Sequence, residues 1–244
     1  YDASGNMISR TDQCGNSFSY SYNSAGQRLS STFPIGGTTN ATYNTDATLA
    51  SITGPMGNST SFTYDSLKRP STTTFADGST RKFTFDHANR LLTFTNENNN
   101  TASLTYDSNG NLQSSTTALG ETTRFDYDGN DQPVSFTDPL GGVVRTTYDA
   151  LGRVATISDA GGNVTTNGYD ALGQLTSVTD PLGKVWSTSY NLEGVVASRT
   201  NPLGNTTAFI SDKLGRVTQI TSPLGNKSKL SYNSIGLLTS AIDP

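Results

Sequence analysis

The sequence predicts an all-β chain: a continuous ribbon of antiparallel β-hairpins, coiled into a spiral shell, solenoid or tube. Three observations predict it. The sequence repeats with a period of 21 residues, and such self-similarity marks a repeat architecture. Each period carries two turn signatures. The residues between those signatures suit strands.

The period is set by aromatic residues followed by Asp or Asn. They stand at Tyr1, Tyr22, Tyr43, Tyr64, Phe85, Tyr106, Tyr127, Tyr148, Tyr169, Tyr190 and Tyr232, every gap being 21 residues or, at the last, 42. The missing start falls at Ser211, which is still followed by Asp212. Eleven full repeats begin at residues 1, 22, 43, 64, 85, 106, 127, 148, 169, 190 and 211, and a partial repeat covers 232–244. The expectation is one continuous array over 1–244. The chain lacks an initial Met and stops at Asp243-Pro244 inside a turn signature. It therefore reads as a segment of a longer protein, with no signal peptide visible.

The first turn follows the aromatic. Asp or Asn comes next, and Gly stands three positions later, as at Asp149 and Gly152. Asn89 and Asp131 hold the Gly slot in two repeats, and both residue types tolerate left-handed backbone. The slot is Ala47 and Lys68 in two others. The second turn is Asp138-Pro139-Leu140-Gly141 or a relative of it, such as Asp180-Pro181-Leu182-Gly183, Asn201-Pro202-Leu203-Gly204 and Ser222-Pro223-Leu224-Gly225. Type I turns favour Asp, Asn or Ser first and Gly fourth. Pro fits the second place because its φ is already set.

The segments between turns are about six residues long, as in Val143–Tyr148 and Arg153–Ser158. Thr, Val, Ile, Phe and Tyr dominate them, which suits strands. In the longer type the aromatic and the residue two before it share a face, for example Phe62 with Tyr64 and Phe125 with Tyr127. In the shorter type the apolar positions lie three apart, as at Leu175 and Val178, which strict alternation does not allow. A bulge or burial on both faces would explain that spacing. About 23 strands at roughly 4.8 Å each would span on the order of 110 Å, and flat sheets rarely exceed about 10 strands. The ribbon should therefore coil, with successive coils packed on one another. Stability should come from neighbouring repeats rather than from a central core.

Composition excludes other classes. Ser and Thr together number 68, while charged residues make up 15% and the net charge is −4. The 22 aromatic residues argue against charge-driven disorder. No apolar run reaches the roughly 18 residues of a membrane helix. The 16 Lys and Arg are scattered, so no basic stripe for nucleic acid exists. One Cys and one His leave no disulfide framework and no Cys/His metal site. No cofactor is expected.

The stretches Tyr148 to Gly162 (Y-D-A-L-G-R-V-A-T-I-S-D-A-G-G) and Tyr169 to Gly183 (Y-D-A-L-G-Q-L-T-S-V-T-D-P-L-G) resemble the Rhs/YD-repeat family. The resemblance covers the whole chain. It implies large secreted or surface proteins, mostly bacterial, with teneurins as animal relatives. It implies a spiral β-sheet shell that encloses a C-terminal toxin in some members and forms an adhesive surface module in others, without catalysis by the repeats. The distinctive core segment that follows the repeats in toxin shells is not found in this sequence. Starts in unbroken register suggest uniform curvature, which favours a tube or filament over a closed cocoon. The functional expectation is a non-catalytic extracellular scaffold. The alternatives are a cocoon segment around an effector and a module binding carbohydrate or a receptor. Partners would be neighbouring repeats or other copies, an encapsulated toxin domain, or surface polysaccharide.

No residue stands out as catalytic, cofactor-binding or metal-ligating. His87 reads as an exposed turn residue, because no nucleophile or orienting partner marks it. Cys14 holds a slot where Leu140 and Leu182 stand elsewhere, and reads as a small buried hydrophobe. Asp126, Asp128 and Asn130 have calcium-loop spacing, but Asp131 and Thr137 break the pattern, and a turn bonded by Asp accounts for them. The six N-x-S/T sequons, at Asn40, Asn58, Asn99, Asn163, Asn205 and Asn226, match chance frequency. The tyrosine column reads as a stacked aromatic ladder within the sheet rather than a platform for bases or sugars.

Overall fold

A computed structural model describes residues 1–243; Pro244, in the last turn signature, lies outside the described residues. The chain is all β, with 23 strands running from β1 (Ser9–Thr11) to β23 (Leu238–Ile242) and no helix among the described residues. Hence no helix is long and apolar enough to cross a membrane. After β1, six-residue strands ending at the aromatic slot alternate with five-residue strands.

The chain divides into two compact units, Tyr1–Thr122 and Thr123–Pro244. In the first, each strand from β1 to β11 (Leu112–Thr116) pairs antiparallel with the next. In the second, the same holds from β12 (Thr122–Tyr127) to β23.

Both turn types have one geometry. Gly152 N–H donates to the Asp149 carbonyl at 3.0 Å, and Asp149 N–H to the Arg153 carbonyl at 2.9 Å. Gly141 and Asp138 repeat this bond at 3.0 Å, with Asp138 N–H on Gly142 at 2.9 Å. This is the three-residue hairpin loop, a type I turn closed by a residue in left-handed backbone. Gly152 has φ +76° and Gly183 +74°. Asn89 and Asp131 adopt the same conformation, as their residue types allow, and so do Ala47 and Lys68, with φ 70° and 62°.

The register explains the three-residue spacing. In β14 (Val143–Tyr148) and β15 (Val154–Ser158), Thr146 faces Ile157 and Thr147 faces Thr156, but Tyr148 faces Val154. Ala155 is the extra residue of a bulge. In the next repeat Asn167 faces Val178, Gly168 faces Ser177 and Tyr169 faces Leu175, leaving Thr176 extra. The bulge thus returns Leu175 and Val178 to one face, beside Tyr169. Of the two explanations open from the sequence, the bulge is the one found.

The two faces differ in chemistry. One carries the aromatic slot, the residue two before it and their apolar partners; Phe83 and Phe94 meet there at 5.3 Å, and Phe125 and Phe136 at 5.5 Å. The other carries hydroxyls in cross-strand pairs, such as Thr84 with Thr93 at 2.6 Å, Thr147 with Thr156 at 2.7 Å and Thr200 with Thr206 at 2.8 Å.

No described residue is fully buried. Within each unit, strands contact only their sequence neighbours. The expected packing of coil on coil therefore does not occur inside either unit. The physical reason is that each strand satisfies its backbone donors and acceptors in the plane of the sheet, so extension needs no second layer. Each face stays half covered by its own neighbours.

Candidate functional site

The chemistry of each repeat gathers at its first turn. The loop places the Asp carboxylate beneath the backbone it has just bent. In the repeat that starts at Tyr148, Asp149 Oδ1 accepts the N–H groups of Leu151 at 2.9 Å and Arg153 at 3.0 Å. Arg153 Nε donates to Asp149 Oδ2 at 2.7 Å. The same guanidinium then reaches forward. Its second nitrogen donates to the Asp170 carbonyl at 3.2 Å, and its carbon lies 4.5 Å from the centre of the Tyr169 ring.

Arg69, Arg90 and Arg216 repeat this arrangement. Each pairs with the Asp four residues back, at 2.6 Å for Asp65, Asp86 and Asp212. Their forward carbonyl acceptors are Asp86, Asp107 and Asn233, and the rings they cover are Phe85, Tyr106 and Tyr232. Where Gln holds the slot, it also reaches the next repeat. Gln27, Gln132 and Gln174 donate to the carbonyls of Ala47, Gly152 and Gly194 at 2.9, 3.0 and 3.1 Å.

A second tether runs backward. Tyr148 Oη donates to the Pro133 carbonyl at 2.8 Å, Tyr169 to Val154 at 2.9 Å and Tyr190 to Leu175 at 2.9 Å. Each acceptor lies 15 residues earlier, at the start of the neighbouring short strand. The tyrosine column is therefore a hydrogen-bonded ladder, not the stacked one that the sequence suggested. Tyrosines 21 residues apart are two strands apart, and the close ring pairs of the apolar face are Phe with Phe.

These bonds set the electrostatics. The backbone N–H of Arg153 on Asp149 holds that carboxyl below its ordinary value, with the guanidinium adding to the effect and desolvation opposing it. Arg69 and Arg90 do the same to Asp65 and Asp86, again through backbone N–H first. The Arg216 side chain leads at Asp212. In each case the donors stabilise the ionised form.

The other candidates lie apart. His87 is exposed in its turn. Cys14 is exposed too, which corrects the expectation of burial: the third place of this turn points away from the sheet. Asp128 Oδ1 accepts the N–H groups of Asn130 at 2.9 Å and Gln132 at 3.0 Å, whereas Asp126 lies in β12 opposite Ser135. Asp126, Gln132, Arg145, Tyr148 and Asp149 line an open cleft of about 700 Å³. The arginine clasp escaped sequence reasoning, although the Asp-x-x-x-Arg spacing at Asp65, Asp86, Asp149 and Asp212 signalled the pair within those four turns. Its forward acceptors lie 17 residues ahead and depend on register.

The family described as RHS Repeat matches residues 43–80, 85–122, 106–135, 127–164, 169–209 and 212–244. No curated protein matches. Among solved structures, a chain of TcdB2-TccC3-Cdc42 aligns with TM-score 0.53 at 14% identity, over 96% of this chain and 16% of that one. A chain of TcdB2-TccC3-TEV aligns with TM-score 0.55 at 16% identity, over 100% of this chain and 15% of that one. The likeness is one of fold, and this chain spans about a sixth of the length of those it matches.

Proposed function

Because this chain belongs to the RHS-repeat family, we propose that it is a non-catalytic wall element: an extracellular structural strip whose repeats build a shell or tube. One observation carries this reading. The polar side chains that recur with the repeat are spent on holding one repeat to the next, forward through Arg153 and its equivalents and backward through Tyr148 and its equivalents. Catalysis would require a nucleophile, a base and an orienting group in mutual reach. The recurring Asp carboxylates are instead committed to loop N–H groups and guanidinium.

A second reading, a segment of a cocoon around an effector domain, is favoured by the fold shared with the TcdB2-TccC3 chains. Electron microscopy of the particle from its native source tests both. Open-ended tubes or fibres with a regular axial repeat are the expected result for a scaffold. Capped capsules with internal density would favour the cocoon. Small solid particles with substrate turnover would overturn both.

A further inference from the structure

Two residues of the second unit depart from the repeat, and they depart together. Trp186, the single tryptophan of the chain, stands in β18 (Val185–Tyr190). The same place 21 residues before and after holds Thr165 and Thr207. Arg199 stands in β19 (Val196–Thr200), in the slot that Ile157, Val178 and Ile220 fill in other repeats. Trp186 and Thr188 share a face, and Thr188 is the cross-strand partner of Arg199. Both residues thus lie on the face of the aromatic slot. The indole is 44% exposed. Arg199 is exposed too, and its guanidinium makes no ion pair or hydrogen bond among the described residues. Neighbouring repeats fold with Thr and Ile in these places, so the sheet requires neither the ring nor the charge.

We infer that Trp186 and Arg199 form a binding site for a planar aromatic carboxylate. They line one hollow of about 230 Å³ together with Thr188, Asn201, Asn205 and Thr207. A cavity of about 150 Å³ is enough to hold benzene, so the hollow has room for a ring and its carboxylate. The charge of the ligand follows from the polar groups. Arg199 offers paired N–H donors that match a carboxylate, and the Asn205 amide adds further donors. Spare acceptors are few, because Asn201 Oδ1 already accepts the N–H groups of Leu203 and Asn205, both at 3.0 Å. No described carboxylate lines this hollow. Asp180 lines instead a second hollow that shares Trp186, together with Lys184. The shape of the ligand follows from the indole, whose open face takes another flat ring in an offset stack. A sugar acid would bring a donor at each hydroxyl, and the hollow has few acceptors to meet them. An exposed aromatic with a few convergent polar groups is the usual make-up of a small-ligand site. Neither residue recurs with the repeat, so the site is separate from the bonds that hold the wall together.

The test uses the full chain with sodium benzoate as the probe. Binding is read by saturation-transfer NMR on the ligand and by the fluorescence of Trp186, at low ionic strength, where an exposed guanidinium is least screened. The unmodified chain should bind benzoate saturably, with a Kd on the order of 1 mM for a ligand this small. Arg199→Ile and Trp186→Thr, the former followed by both readouts and the latter by NMR, should each raise Kd at least about tenfold. Both restore residues that neighbouring repeats carry, and an unchanged far-UV circular dichroism spectrum would show that the variants fold. Benzyl alcohol, a ring without the charge, and glucuronate, the charge without a flat ring, should each bind at least about tenfold more weakly than benzoate. No saturable binding of benzoate to the unmodified chain would overturn the inference, and so would a Kd unchanged in either variant. Glucuronate or benzyl alcohol binding as tightly as benzoate would overturn the assignment of the ligand class. None of these outcomes bears on the wall reading, which microscopy tests.

Discussion

At the scale of the residue, backbone conformation decides what each turn tolerates. Gly183 adopts φ +74°, and a Cβ there would meet nothing within 4 Å. Gly183→Val should therefore destabilise through backbone strain alone, by about 1–2 kcal/mol, read as a lower midpoint in denaturant. Ala47 and Lys68 already carry that strain at the equivalent place. Ala47→Gly should relieve it and stabilise by about 0.5–1 kcal/mol after the extra freedom of an unfolded Gly is subtracted. A lower midpoint for Ala47→Gly would show that the left-handed conformation there carries no strain. Ser211 tests the aromatic slot. Its Oγ is buried without a hydrogen-bond partner, where neighbouring repeats place a phenol. Ser211→Tyr should supply the missing bond, to the Val196 carbonyl 15 residues back, and raise stability by about 1 kcal/mol. An unchanged or lowered midpoint would mean that the slot cannot open to admit the ring.

At the scale of the element, one hairpin is joined to the next by the arginine clasp. Arg153 makes its ion pair, its forward hydrogen bond and its ring contact at once. Arg153→Ala should cost about 1 kcal/mol, and Arg153→Gln less, because Gln132 and Gln174 show that an amide still reaches the next turn. Equal losses in both variants would put the effect inside the first turn rather than between repeats. The clasp carboxylates also share in the acid response. Asp65, Asp86, Asp149 and Asp212 have carboxyls held below the ordinary value of 3.8. Their contribution is fully present above that value and is lost as pH falls through the lowered folded values. Tm should accordingly be level near neutrality and fall below about pH 4. Replacing these four by Asn should make the acid limb shallower, the remainder coming from Asp2, Asp12, Asp46, Asp77, Glu97, Asp107 and Asp159, whose carboxyls are also lowered; Asn191 keeps the loop bonds through Oδ1 without a charge, at 3.1 Å from Glu193 N–H and 2.9 Å from Val195 N–H. An acid limb unchanged in that variant would place the sensitivity elsewhere.

At the scale of the whole molecule, stability is a sum over neighbours, because contacts within each unit run only between adjacent strands and no described residue is buried. Much of this was legible in the sequence. The period, both turns, the strands between them and the choice between Gly, Asn and Asp in the left-handed slot follow from interactions within about five residues, which a local stretch of chain carries with it. Even Pro139 and Pro181 announce their place, since Pro sets its own φ wherever it stands. What the tertiary structure alone decided lies between strands. It placed the bulge at Ala155 and Thr176 and so put Leu175 and Val178 on one face. It sent the Tyr148 hydroxyl to a carbonyl 15 residues back rather than onto another ring, and Arg153 to one 17 residues ahead. It left Cys14 in solvent. These outcomes depend on register. A slip of one residue turns every side chain to the other face, and the sequence states which residues alternate but not which partner each one meets.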